Sequence, residues 1–153
     1  MRMALYPNQR DSVSDNFLSS STIMIYEISQ KFFFDAAHTL RREIEADSSR
    51  RIHGHTYNAE IFFSGALDAQ TGMVVDLGLV RLAMADVREQ LDHCMLDDVP
   101  GLGPATLENL CAYIWARLSP AWPALSAVRV WRESVGDACL LRPGASGIRT
   151  SCS

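Results

Sequence analysis

The sequence predicts an α+β domain, a four-stranded antiparallel sheet with two helices on one face, in the order two strands, two helices, two strands. Three observations lead there. β-branched and aromatic runs stand toward both ends of the chain, over 23–38 and 52–64 and again over 127–133 and 138–141. Two stretches between them repeat apolar residues at helical spacing. Both helices are thus grouped in the middle, and turns join consecutive strands, which argues for an antiparallel sheet covered on one side.

Taken in order, residues 1–22 are polar and turn-rich and read as a disordered tail, with Met24 as an alternative start. The first strand is carried by Ile23, Ile25, Tyr26, Ile28, Phe32, Phe33 and Phe34, and the charged segment 39–51 reads as a loop. In the second strand His53, His55, Tyr57, Ala59, Ile61 and Phe63 share one face, because successive side chains of a strand alternate. Asp68-Ala69-Gln70-Thr71-Gly72 is a turn. Asp76 stands at a helix N-cap, ahead of Val80, Met84, Val87 and Leu91, and the helix is expected to end near Leu91 or Asp92. Residues 96–103 read as a connection. Thr106 caps a second helix with the stripe Leu107, Leu110, Ile114 and Leu118, which Pro120 stops. The last two strands flank a turn at Val135-Gly136-Asp137, and residues 143–153 form a second loose tail. The domain is therefore expected to span 23–142, with no internal repeat and no second domain.

Composition narrows the function. With 153 residues, 48% of them hydrophobic, the chain can bury a real core, and no apolar run reaches membrane-spanning length. A soluble protein is expected. The N-terminus lacks the pattern of a secretory signal, so the expected compartment is the cytoplasm. Four cysteines (Cys94, Cys111, Cys139, Cys152) show no paired spacing and read as reduced thiols, Cys111 and Cys139 as small buried hydrophobes. The formal charge is −4 and the basic residues are scattered, which disfavours nucleic acid and points to a small molecule.

The chemistry lies in Arg51-Ile52-His53-Gly54-His55-Thr56-Tyr57. Two histidines two apart on a strand project from one side and supply half a metal site; a catalytic zinc takes three protein ligands and leaves a position open. His38, closing the run from Phe32, is the candidate third donor. Taken alone, an H-x-H pair is as readily two unrelated histidines. The fourth histidine, His93, follows Asp92, and a carboxylate beside an imidazole can tune it for proton transfer.

Five blocks in order resemble the family of 6-pyruvoyltetrahydropterin synthase and 6-carboxytetrahydropterin synthase of the queuosine pathway, over about 25–141. They are Phe34-Asp35-Ala36-Ala37-His38, His53-Gly54-His55-Thr56-Tyr57, Gly72-Met73-Val74-Val75-Asp76, Leu91-Asp92-His93 and Ala105-Thr106-Leu107-Glu108-Asn109. The resemblance implies the tunnelling fold, in which trimers close into a barrel and two barrels stack as a homohexamer. It implies Zn2+ on His38, His53 and His55 and a pterin substrate, 7,8-dihydroneopterin triphosphate. Asp92 and His93 would relay a proton, triphosphate would leave, and the queuosine branch would also shed acetaldehyde to give 6-carboxytetrahydropterin. Glu133 would grip the pterin's nitrogens and Thr106 would lie beside the ring.

Two positions depart from the family. Its catalytic cysteine stands four residues before the first histidine of H-x-H, where this chain has Ser49. An alcohol is a much weaker acid than a thiol, so Asp47 or Glu45 of the same loop are alternative bases. The family's V-x-V-x-E is one residue longer here, in Val128-Arg129-Val130-Trp131-Arg132-Glu133. On a regular strand this turns the Glu133 carboxylate to the face opposite Val128 and Val130, unless a bulge absorbs the extra residue. For Thr106 and Glu108, helix capping and dipole compensation explain both without a ligand. The alternative function is a zinc-containing paralogue that binds pterin or acts on another dihydropterin.

Overall fold

Four antiparallel strands, β1 (Tyr26–His38), β2 (His53–Gly65), β3 (Leu125–Arg132) and β4 (Asp137–Leu141), form one sheet in the order β1-β2-β3-β4. A short helix α1 (Ala46–Ser49) lies between β1 and β2, and α2 (Leu77–Glu89) and α3 (Leu107–Leu118) lie between β2 and β3. This computed structural model describes residues 22–144 apart from Arg42 and Glu45. The expected tails fall, over 1–21 and 145–153, outside the described residues, as does the alternative base Glu45.

Alternation along the strands sets the core. Phe34 and Ala36 of β1, Tyr57, Ala59, Ile61 and Phe63 of β2, and Val128 and Val130 of β3 are buried. They join Val80, Met84 and Val87 of α2 and Leu110, Ile114 and Leu118 of α3 in one cluster. Each long helix starts where an oxygen side chain meets a first-turn amide. The Asp76 carboxylate accepts from Gly78 N at 2.7 Å, and the Thr106 hydroxyl accepts from Asn109 N at 3.2 Å. Ile61 is fully buried between sheet and helices. Ile61→Ala is expected to lower stability by about 2–5 kcal/mol, read as a shift in the urea midpoint with unchanged slope.

Three details differ from the sequence reading. The loop between β1 and β2 contains α1, whose Ser49 carbonyl accepts from Leu40 N at 2.8 Å and so closes the loop on itself. The connection after α2 opens with a 3-10 turn over Leu96–Asp98. α2 itself stops at Glu89, earlier than Leu91, because the chain leaves the helix to dock on β1. His93 N donates to Asp35 O at 2.6 Å, Ala37 N donates to Cys94 O at 3.0 Å, and Met95 forms a parallel bridge with Ala37. His93 takes a positive φ of 58° to make this turn. That conformation costs a non-glycine residue about 1–2 kcal/mol, which the two backbone bonds to β1 offset.

The bulge falls at one end of β3. Phe62 pairs with Ala127 and Phe63 with Leu125, so the extra residue is Ser126, and pairing is regular from Ala127 to Trp131. Arg132 therefore continues the face of Val128 and Val130 and is buried. Glu133 comes after the last strand residue, exposed at the start of the turn, and accepts from Trp131 Nε1 on the opposite face at 2.5 Å.

Candidate active site

The register of β1 against β2 assembles the histidines. His38 is paired with His53 and Ala36 with His55, so three imidazoles on one face of two adjacent strands meet at one end of the sheet. Their ring centroids lie 4.5 Å (His38–His53), 5.2 Å (His38–His55) and 4.9 Å (His53–His55) apart. One ligand atom from each falls within 4.8 Å of the others, as three donors around one ion require.

Hydrogen bonds fix which nitrogen is offered. A carbonyl only accepts, so His38 Nδ1 donates to Ala105 O at 3.1 Å and His53 Nδ1 donates to Arg51 O at 2.8 Å. Each ring then carries its lone pair on Nε2. Such outer bonds orient metal-binding histidines and raise their basicity. His38 Nε2 is buried without a protein partner, an arrangement that costs free energy unless something accepts the lone pair. Burial, and then His53, hold the His38 imidazole below its ordinary pKa, while the Ala105 bond and Asp97 oppose them. His38 thus stays in the neutral form that binds a cation. The donor set fits a metal with open coordination.

Two hollows flank the triad. An open cleft is lined by Asp35, His55, Thr56, His93 and Cys94, and a cavity of 380 Å³ is lined by His38, Tyr57, Thr106, Glu108 and Arg132 among others. In the first, His93 Nδ1 stands 3.1 Å from Asp92 Oδ1. Asp92 is held from two more sides, by Asp35 N at 2.9 Å and by Arg88 Nη2 at 2.9 Å. The Asp35 amide, followed by Arg88 and His93, keeps the Asp92 carboxyl below its usual pKa against the opposing effect of burial. An ionised Asp92 favours the Nδ1–H tautomer of His93 and leaves Nε2 to accept a proton in the cleft. Thr56 Oγ1 donates to Asp35 Oδ1 at 2.5 Å, which braces the same corner.

Of the residues singled out in the sequence, the fold brings together His38, His53 and His55, sets His93 in the cleft with His55, and sets Thr106 in the cavity with His38. Ser49 is buried in α1, and neither it nor Glu133 lines these two hollows. Sequence reasoning passed over Arg132, although its place two residues beyond Val130 is the same alternation that grouped the histidines. It also passed over Asp35 and Arg88, which hold Asp92 across 57 and 4 residues of chain respectively.

Residues 27–143 match the family model described as 6-pyruvoyl tetrahydropterin synthase. A 6-carboxy-5,6,7,8-tetrahydropterin synthase of Synechocystis sp. is 31% identical over 125 residues, covering 78% of this chain and 95% of that protein. The human 6-pyruvoyl tetrahydrobiopterin synthase is 31% identical over 111 residues, covering 63% and 77%. Among solved structures, the Caenorhabditis elegans 6-pyruvoyl tetrahydropterin synthase superimposes with a TM-score of 0.68 at 23% identity, covering 80% of this chain and 98% of that one. The fold is thus that of these proteins, the tunnelling fold.

Proposed function

The chain belongs to the 6-pyruvoyl tetrahydropterin synthase family, and from that premise we propose a zinc-dependent lyase that converts 7,8-dihydroneopterin triphosphate to 6-carboxytetrahydropterin, the step of queuosine biosynthesis, or to a closely related tetrahydropterin. The observation that carries the reading is the convergence of His38, His53 and His55 next to a cleft shared by His55 and His93. These residue types in this arrangement serve proton removal beside a cation.

His38, His53 and His55 would hold the zinc. When bound, zinc supplies Lewis acidity, making protons on a coordinated side chain easier to remove. His93 Nε2 takes or returns a proton, while Asp92 holds the ring in the Nδ1–H tautomer and stabilises its charged form. Arg88 and the Asp35 amide position Asp92. Thr106, whose hydroxyl is already the α3 cap, lies beside the substrate ring. Assembly as a homohexamer in the cytoplasm belongs to the same reading, since a closed ring of copies pairs the edges that β1 and β4 present in one chain. Among the described residues no helix is long and apolar enough to cross a membrane.

Ser49 supports a second reading, a paralogue that binds pterin or acts on another dihydropterin. Purified protein given 7,8-dihydroneopterin triphosphate should release triphosphate if the first reading holds. Tight pterin binding with no release would favour the second. Ser49→Cys separates them further: if this position limits the chemistry, a thiol near pKa ~8.5, which unlike an alcohol supplies an ionised base near neutral pH, is expected to raise turnover at least about tenfold. An unchanged rate would show that this position does not limit the chemistry.

A further inference from the structure

The cavity on the His38 side ends on a cation. Arg132 is 5% exposed, and its Nε is buried with no hydrogen-bond partner. Its Nη2 is engaged by Asp137 Oδ2 at the base of the β3–β4 hairpin. Its guanidinium carbon stands 6.0 Å from the centre of the Tyr57 ring. A guanidinium presents five donors in a planar fork, and only part of that fork is satisfied inside the chain. Leaving a charged donor buried and unpaired is costly, and the cavity that Arg132 lines gives an acceptor access to it.

We propose that Arg132 is the specificity-determining residue of this cavity and receives an oxyanion, a carboxylate or phosphate group of the ligand whose other end lies at the three-histidine centre. The geometry selects against ligands that present only N–H donors there, because two sets of donors would face each other without an acceptor between them. Glu108 lines the same cavity but is exposed, so it acts at the rim and screens rather than cancels the buried fork. Asp137, its side chain 43% exposed, is the internal counter-ion of Arg132. The inference goes beyond the pterin reading, because an oxyanion is a group that a ring lying beside Thr106 does not itself carry, and rests on that reading only in taking the His38 side as the ligand side.

The test uses the full chain with metal removed by chelation, so that neither zinc nor a pterin is involved and a failed lyase assay leaves it intact. Inorganic phosphate and acetate are titrated separately by calorimetry. Saturable binding of either anion is expected, the tighter one telling phosphate from carboxylate. Arg132→Gln should weaken it at least about tenfold, and Arg132→Lys should recover part of the loss. Asp137→Asn, a change at a half-exposed site, should tighten it by about fivefold or more, since the fork is then released from its internal partner. Absence of binding to the unaltered chain, equal affinity in Arg132→Gln, or unchanged affinity in Asp137→Asn each overturns the proposal. The Asp137 arm decides the matter if Arg132→Gln does not fold.

Discussion

Replacing His53 and His55 together by alanine is expected to strip the protein of its metal, from about one zinc per chain to background. The two side chains supply two of three donors, and His38 alone is left with one buried nitrogen and no chelate. The sheet should survive, because the core that holds β1 to β2 is built from Phe34, Tyr57, Ile61 and their helix contacts rather than from the triad. Elemental analysis alongside far-UV circular dichroism checks both halves. Zinc should also stabilise the unaltered protein by mass action, by about 2.7 kcal/mol at a free concentration one hundred times Kd. That stabilisation should vanish in the double variant. A natural protein prepared with zinc present and found empty, or a double variant as fully loaded as its parent, would remove the centre on which the chemistry depends.

His93→Ala is expected to lower turnover by about 10²–10⁴-fold, the usual worth of a positioned proton carrier, with zinc content unchanged. The separation follows from geometry: His93 lines the cleft with His55 but is not one of the three clustered donors. Asp92→Asn should lose most of the same factor, since an amide no longer enforces the Nδ1–H tautomer. Arg88→Ala should lose less, because the Asp35 amide still holds the carboxylate. The pH profile adds a signature. Asp92 has its pKa lowered, so it is ionised above its ordinary carboxylate range and remains so some way below it. Acidification into the upper part of the ordinary carboxylate range is therefore not expected to protonate Asp92 or to release its hold on the His93 ring. The measurement is triphosphate release by the more active of the unaltered and Ser49→Cys proteins. Undiminished turnover in His93→Ala would exclude the relay.

What could be read in advance divides by range. The facing of His53, His55, Tyr57 and Ile61 was legible because side-chain alternation is a property of any extended segment, whatever surrounds it. Asp76 and Thr106 were legible as caps for a similar reason, each meeting an amide within three residues. Helix α1 and the 3-10 turn were not, since segments of four and three residues are too short for a periodic pattern to declare itself. Nor was the end of α2, where a helical pattern running on through Leu91 gives way to docking on a strand more than fifty residues away.

The α+β order, the shared face of the H-x-H pair and His38 as a candidate third donor were legible along the chain, because they follow from periodicity and residue chemistry over short stretches, while Asp92 and His93 took their role from the family resemblance. It took the packed fold to show that His38 stands opposite His53, that His93 is turned beside β1, and that Arg132 rather than Glu133 lines the cavity. Strand register and the position of a bulge are set by the packing of distant segments, and a shift of one residue exchanges the two faces of a strand.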